Sequence, residues 1–375
     1  MRSRGVHCFY MIEDSTIKHF KDLDWVLIGA ALVLVGIGLL SIYSSSRGSN
    51  FFNFYKQLIF LGIGLLLMLI VAFGDWKIFT QNPYLILFLY LANLLLLGGL
   101  FFFAPEIKGV KSWYRLGPIS LDPIASMRII LVILLAKFFS MRHAEMYRVR
   151  HILLSGLYVL LPAILIFFQP DLGAVLVLVA LWGLILVLSG IKLRHFLVLT
   201  LIALLILAAG WHFFLQDYQK QRVMSFVTPR LEPLGANWNE RQVEIAIGAG
   251  GWLGQGLGQG SQTQLGFLPE AQTDFIFAAT AEEFGLLGIS ILLITFIALM
   301  QRILRVGLKA GSNFARLFCA GFTALLFTEF FINVGMNLGL LPIIGIPLPF
   351  VSYGGSNLIM NLAGLGVVQS IYISS

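Results

Sequence analysis

Leu268–Phe277, LPEAQTDFIF, is the point where a glycine-rich polar loop runs into an apolar segment long enough to cross a membrane. Asp274 stands at the junction, immediately before the apolar run. A carboxylate between water and hydrocarbon is costly in its charged form unless a cation or a substrate stabilises it. That position is the first candidate for chemistry, and the run beyond it sets the fold. Spans of the same kind are read near 25–44, 55–73, 84–103, 121–140, 152–168, 172–190, 195–215, 275–300, 314–340 and 350–372, about ten in all. The fourth is the weakest, because Asp122 and Arg128 interrupt it.

Composition leaves one class open. The chain has 375 residues, 58% hydrophobic and 11% charged, with mean hydropathy +0.90. A soluble domain carries about 25% charged residues, and no soluble core of this length holds such an apolar excess. The expected fold is an all-α polytopic membrane protein, a single integral membrane domain over residues 1–375. The net charge of +7 does not point to nucleic acid, because the basic residues cluster between spans. Cys8 and Cys319 are the only cysteines, one in the N-terminal tail and one in an apolar segment, which argues against a disulfide or zinc site. The first 25 residues show no small-residue cleavage site after a short apolar core, so no removable signal peptide is expected.

The short loops orient the chain. Arg142, Arg148 and Arg150 follow the fourth span, Lys192 and Arg194 the sixth, and Arg302, Arg305, Lys309 and Arg316 the eighth. With Lys18 and Lys21 of the tail they fall on one side, which the positive-inside rule makes cytoplasmic. An even number of spans returns both termini there. The outer face then carries Ala104–Leu121, the turn Leu341–Ser356, and a large extracytoplasmic loop over 216–273 between the seventh and eighth spans. That loop far exceeds the ~12–15 residues beyond which a loop usually has a job. The sequence contains no GxxxxGK[ST] phosphate loop, and its halves lack matching pairs of broken helices, which weakens an inverted-repeat transporter reading.

Asp274 admits two readings that do not exclude each other. As a helix cap, Thr273 or Asp274 would accept backbone N–H groups and suit the helix dipole. As a general base, Asp274 would be partly desolvated, with its pKa nearer neutrality. Glu270 is the neighbouring acid, either a second partner or a solvated loop residue. The run Gly248–Gly260, GAGGWLGQGLGQG, has no GxGxxG register and reads as a linker or as an ordered loop on the membrane surface. In the second reading its N–H groups would cradle phosphate oxygens.

Lys108, Lys111, Arg115 and Arg128 lie on the outer side close to a span, where positive-inside statistics disfavour cations. They suggest an anionic partner such as a phosphate headgroup, with snorkelling or lipid contact as the alternative. Trp113 and Tyr114 read as interfacial belt aromatics or as a platform beside a sugar ring. Glu282 and Glu283 fall about 12 Å below Asp274 on a continuous helix. Glu329, Asn333 and Asn337 share one face of the ninth span, as an interhelical network or the lining of a polar cavity. Glu329 needs a partner that the sequence does not identify. The histidines form no metal motif.

KGVKSWYRLGPISLDP, QPDLGAV, the glycine loop into LPEAQTDFIFAATAEEFGLLG, and NVGMNLGLLPIIGIPLPFVSYGGSNL together resemble the SEDS family of RodA, FtsW and SpoVE. The similarity covers nearly the whole chain, and the compact tail and DLDWVL are most similar to RodA. The resemblance implies a peptidoglycan glycosyltransferase that polymerises lipid II on the outer face of the bacterial plasma (inner) membrane, in cell-wall elongation and cell-shape maintenance. It implies a class B penicillin-binding protein (a transpeptidase) and elongation-complex proteins as partners. It also implies a divalent cation, Mg2+ or Mn2+, with no organic cofactor.

The family's catalytic aspartate falls on Asp274 and its outer-loop tryptophan on Trp113. Lys111, Arg115, Arg128 and Glu270 complete the expected substrate-binding set. Where the family commonly reads Q-P-S-E and then a lysine three residues on, this chain has Asp122, Pro123, Ile124, Ala125 and then Arg128. Arg128 is expected to hold pyrophosphate or pair with Asp274, in forked geometry. Ala125 does neither job of a glutamate, and Asp122 is the nearby carboxylate that would compensate. In the expected reaction Asp274 takes the proton of an acceptor 4-hydroxyl while the cations and a metal stabilise the departing pyrophosphate. Two rivals stay open: a lipid II flippase or other transporter, resting on Glu282, Glu283 and Glu329, and a non-enzymatic scaffold activating a transpeptidase, resting on Ala125.

Overall fold

The structure is a computed structural model that describes residues 22–47, 51–105, 112–117, 119–141, 149–213 and 236–374, with Lys220 and Met224. It begins with α1 (Trp25–Ser45), capped by Asp24, whose carboxylate accepts the Leu27 N–H at 3.2 Å. α2 (Phe52–Phe73), the one-turn α3 (Ile78–Gln81) and α4 (Pro83–Phe103) follow. α2 buries a single stripe of Gln57, Phe60, Gly64, Met68 and Ala72, and α4 one of Ile86, Tyr90, Asn93, Leu97 and Leu100. Those spacings of three and four residues place each stripe on one helix face and turn the rest outward to lipid.

A short antiparallel hairpin comes next, β1 (Tyr114–Leu116) with β2 (Ile119–Leu121), in which Arg115 faces Ser120. It is an addition to the all-α expectation. Strands of three residues are too short to show an alternating pattern in sequence.

α5 (Pro123–Ser140) is buried almost all round, because other helices of the bundle pack against every side of it. Asp122 and Arg128 do not interrupt it. Asp122 is its cap, accepting the Ile124 N–H at 2.8 Å, with Pro123 in the first turn where its missing N–H costs nothing. Then come α6 (Val149–Phe167), α7 (Leu172–Leu188) and α8 (Leu193–Phe213). Asp171 caps α7 through the Ala174 N–H at 2.9 Å.

The outer loop has its own helices, α9 (Ala236–Gly250) and the short α10 (Ser261–Gln264). Val243 and Ala246 of α9 pack on Leu268, Phe275, Ala278 and Ala279. The bundle closes with α11 (Ile276–Lys309), α12 (Asn313–Asn337) and α13 (Gly355–Ile373). Among the described residues, nine helices are long and apolar enough to cross a membrane, and α7 is a shorter apolar helix. These ten correspond to the ten expected spans.

The start of α1 meets the end of α13. Asp24 N–H donates to Gln369 Oε1 at 2.9 Å, and Gln369 Nε2 returns a bond to Asp24 O at 3.0 Å. Arg302, from the basic end of α11, pairs with Asp24 at 2.5 Å. The first and last spans therefore start and finish on the face that carries the eighth span's cations.

α11 is not continuous. At Gly285 the backbone turns to φ 64°, ψ −162°, a conformation nearly restricted to glycine. The glycine run enters this break. Gln255 N–H bonds Glu282 O at 2.9 Å and Gly256 N–H bonds Glu283 O at 3.1 Å; Leu286 N–H bonds Gly251 O at 2.9 Å and Leu287 N–H bonds Trp252 O at 3.1 Å. A broken helix at membrane depth must find such internal partners, because lipid offers none.

Two sequence expectations change here. The glycine-loop N–H groups of Gly254, Gln255, Gly256 and Gly258 are taken by the protein itself, so the run is no phosphate cradle. Glu282 and Glu283, on which the transporter rival rests in part, are turned to the loop. The Glu282 carboxylate caps α10 through Gln262 N–H at 2.7 Å and Thr263 N–H at 3.0 Å. Glu283 accepts from the Ser44 hydroxyl and, at 3.3 Å, from Gly258 N–H.

Candidate active site

The residues before α11 fold into a tight turn. Glu270 O accepts from Thr273 N–H at 3.0 Å and Phe275 N–H at 3.3 Å, with Glu270 itself at φ 46°. The cap position of α11 is Phe275, which makes no side-chain cap bond, so neither Thr273 nor Asp274 occupies it. The capping role weighed for them is thereby overturned.

Other elements grip the peptides of this turn one by one. Asp274 O accepts from Asn333 Nδ2 at 3.0 Å and Asn337 Nδ2 at 3.1 Å. Asn333 Nδ2 also donates to Ile346 O at 2.7 Å, joining α12 to the outer turn before α13. Ser352 Oγ donates to Thr273 O at 2.6 Å, and Tyr353 N–H to Gln272 O at 2.8 Å. The Gln272 side chain accepts from Asn53 Nδ2 at 2.8 Å and donates to Ser46 Oγ at 3.2 Å.

Asp274 itself is half-buried, and the outer turn passes over its carboxylate: a methyl group on Gly345 would lie 3.3 Å from Oδ2. Phe350 in the same turn is buried at φ 65°. Non-glycine residues in that region cost about 1–3 kcal/mol each, and they persist only where surrounding structure holds them. The strain at Glu270 and Phe350 brackets Asp274.

The expected substrate residues divide. Lys111, with Lys108, lies outside the described residues. Trp113 is half-buried and Arg115 exposed, both in the segment forming the hairpin. That hairpin is tied to the first turn of α13 by Ser356, whose Oγ accepts from Asp122 N–H at 2.9 Å and donates to Ser120 O at 3.4 Å. Glu270 is exposed at the turn, with Oε2 3.4 Å from the Thr273 hydroxyl.

Arg128 is placed otherwise than expected. It is 6% exposed and its Nη1 lies 2.6 Å from Glu329 Oε1, so the guanidinium pairs with a buried carboxylate other than Asp274. Glu329 thereby gains the partner missing from the sequence reading. With Glu282 and Glu283 clamping the loop, all three intramembrane acids behind the transporter rival are engaged within the protein.

Two more carboxylates surround Arg128. Burial pushes Asp122 up to about 6, against the pull of the Arg128 charge and its bond from Ile124 N–H, while Asp171 raises it further. Burial likewise raises Asp171, opposed by its Ala174 bond and by Arg128. Asp122 is thus a buried cap whose carboxyl also feels the Arg128 charge.

Sequence reasoning offered an interhelical network as one reading of Asn333 and Asn337, and it did not single out Gln272, Ser352 or Asn53. The asparagine spacing was visible; that both amides meet at one carbonyl oxygen was not.

Comparison with known proteins gives this arrangement its context. The FTSW_RODA_SPOVE family, described as "Cell cycle protein", matches residues 24–375. The chain is 37% identical over 367 residues to the peptidoglycan glycosyltransferase MrdB of Escherichia coli (strain K12), covering 96% of this chain and 97% of that one. It is 34% identical over 373 residues to the stage V sporulation protein E of Bacillus subtilis (strain 168), covering 95% and 98%. Among solved structures, one described as a peptidoglycan synthase complex coordinating polymerization and crosslinking matches with TM-score 0.81 and 32% identity, over 93% of this chain and 97% of that one. The rod shape determining protein RodA of Thermus thermophilus matches with TM-score 0.68 and 28% identity, over 93% and 96%. With the match running from the cap of α1 to the end of α13, the chain belongs to the FtsW/RodA/SpoVE family, also called SEDS, as a multi-pass protein of the bacterial inner membrane.

Proposed function

We propose that this chain is a peptidoglycan glycosyltransferase that polymerises lipid II at the outer membrane face during cell-wall elongation, with Asp274 as general base. The observation that carries the reading is the grip on residues 272–274. Three successive peptide oxygens are bonded to α12 or to the outer turn, while the Asp274 carboxylate lies half-buried under Gly345. A general base needs this treatment, because its efficiency depends on being held within hydrogen-bond reach of the proton it takes.

In the reaction Asp274 accepts the proton of the acceptor's sugar 4-hydroxyl as that oxygen attacks the donor's anomeric carbon. The bond from that carbon to the pyrophosphate oxygen breaks, and undecaprenyl pyrophosphate leaves with the electron pair. The α-linked donor gives a β-1,4 product by inversion. Lys111 and Arg115 are the cations we assign to the leaving group, Trp113 to a sugar face and Glu270 to the acceptor side, because charge develops on the pyrophosphate in the transition state. Arg128 is removed from that set by its burial against Glu329.

A divalent cation is implied by the resemblance. Among the described residues no group of three or more His, Cys, Asp or Glu is placed to hold one. The described residues thus offer no all-protein cage, and no step is routed through the ion. Mg2+ commonly binds through substrate phosphates with one or two carboxylates, and a cation carried in with pyrophosphate is the form we propose. A class B penicillin-binding protein, the transpeptidase, is the proposed partner, supported by the match to a subunit of a peptidoglycan synthase complex.

The test is polymerisation of fluorescent lipid II by the purified protein with its partner, resolved on a gel. Asp274→Asn keeps the shape of the side chain and removes the base, so glycan strands should vanish. Strands formed at the wild-type rate would overturn the assignment.

A further inference from the structure

The buried pair of Arg128 and Glu329 touches neither the acceptor nor the leaving group in the reaction above, yet it joins α5 to α12. The two residues are 6% and 0% exposed. Replacing a buried ion pair with apolar residues of similar volume is often neutral or stabilising, so stability alone is a weak reason for one in a helix as apolar as α5.

Its position supplies a better reason. Glu329 lies one helical turn before Asn333 and two before Asn337, on the same face of α12. Those two amides hold the Asp274 oxygen, and Asn337 also bonds Asn333 O at 2.8 Å. The height and rotation of α12 therefore set where Asp274 stands.

Helix packing alone is tolerant of small slides along the axis. A short charge-assisted bond between single side chains is not, because each of the two helices offers one partner at that level. Position 125, one turn before Arg128, is alanine and offers no counter-charge. Asp122 and Asp171 face Arg128 electrostatically but are spent as the caps of α5 and α7. Glu329 alone ties Arg128 to the helix that carries the asparagines.

We propose that Arg128 and Glu329 are positioning residues, an interhelical strap that fixes α12 against α5 and so holds Asp274 at its working place. The proposal rests on the reading of Asp274 as the base. It separates two jobs a carboxylate does for Arg128: balancing its charge, which any nearby acid performs, and tying it to α12, which only residue 329 performs.

The experiment measures kcat and KM for lipid II, with melting curves, for wild type, Asp274→Asn, Glu329→Leu and the double variant Ala125→Glu/Glu329→Leu. In the double variant Arg128 regains a carboxylate three residues away on its own helix, within side-chain reach, but not the tie. Glu329→Leu should lose about 10- to 100-fold in kcat, the scale of a displacement near 1 Å, with KM for lipid II within about twofold of wild type. The double variant should melt close to wild type while its kcat stays low. Should Glu329→Leu not fold, the double variant carries the comparison alone.

Recovery of kcat in the double variant would show that Glu329 only balances charge, and would overturn the strap. So would wild-type kinetics in Glu329→Leu, or a loss confined to KM, which would return Arg128 to the substrate. If Asp274→Asn polymerises like wild type, the base assignment itself fails and takes the strap with it. If Asp274→Asn is dead and both Glu329 variants are fast, the base stands and the strap alone falls.

Discussion

Gly285→Ala attacks the point where α11 breaks. The wild-type backbone there, φ 64° and ψ −162°, costs an L-residue about 1–3 kcal/mol. A methyl group at that site would stand 2.7 Å from the carbonyl carbon and oxygen of Trp252, and closer still to Gly254 N. These are backbone atoms, which cannot swing aside as a side chain does. The loop has to withdraw, and the four bonds from residues 251, 252, 255 and 256 across the break lengthen with it. At ~0.5–1.5 kcal/mol net apiece, their loss adds about 2–6 kcal/mol. A destabilisation of about 3 kcal/mol or more is expected, which lowers the melting temperature by about 6 °C or more on the scaling of large soluble domains. Lipid II polymerisation should fall in parallel, since the first half of α11 follows directly from the Asp274 turn.

The assay is thermal unfolding in detergent beside the gel-based polymerisation assay, with Gly36→Ala as control. Gly36 has nothing within 4 Å of an added methyl, so that variant should behave as wild type. A Gly285→Ala protein melting within about 2 °C of wild type would refute the reasoning, because the loop would then be shown not to depend on the break.

Three further outcomes follow from the same geometry. Glu282→Gln places an amide N–H2 among the N–H and hydroxyl donors of Gln262 and Thr263, so about 1–3 kcal/mol should be lost and residues 251–264 should exchange amide hydrogens faster, read by mass spectrometry. Asn337→Ala removes one of the two donors to Asp274 O and should cut kcat by about tenfold with the fold intact, measured as polymerisation rate against melting temperature. Burial lifts Asp122 from 3.8 to about 6, so the folded chain binds that proton more tightly than the unfolded chain. Its contribution to stability is then fully present below pH 3.8 and lost as pH rises through about 6. Asp122→Asn keeps the cap acceptor and removes the titration. It should melt with wild type near the acid end and above wild type beyond pH 6, across curves taken from acid to mildly basic pH.

How much of this was legible beforehand depends on the range of the interaction concerned. The spans were readable because each helix announces itself through a local apolar run, and the caps Asp24, Asp122 and Asp171 sit beside the helices they start. Asp274 was readable because a carboxylate at a polar-to-apolar junction is conspicuous in one stretch of chain. The short hairpin escaped because three residues carry no period, and the break in α11 because a glycine beside LLG looks like any other helical glycine.

What sequence by itself determined was a ten-span helical protein of the SEDS family with an outward aspartate. Tertiary structure alone decided what that aspartate rests on. Arg128 and Glu329 are 201 residues apart in the chain, and Glu283 and Ser44 are 239 apart. No local pattern encodes such pairs, because they exist only once helices cross at a given height and rotation. A buried charge must find its counterpart wherever packing brings one, and here packing brought Glu329 to Arg128 and sent the glycine loop into the gap at Gly285.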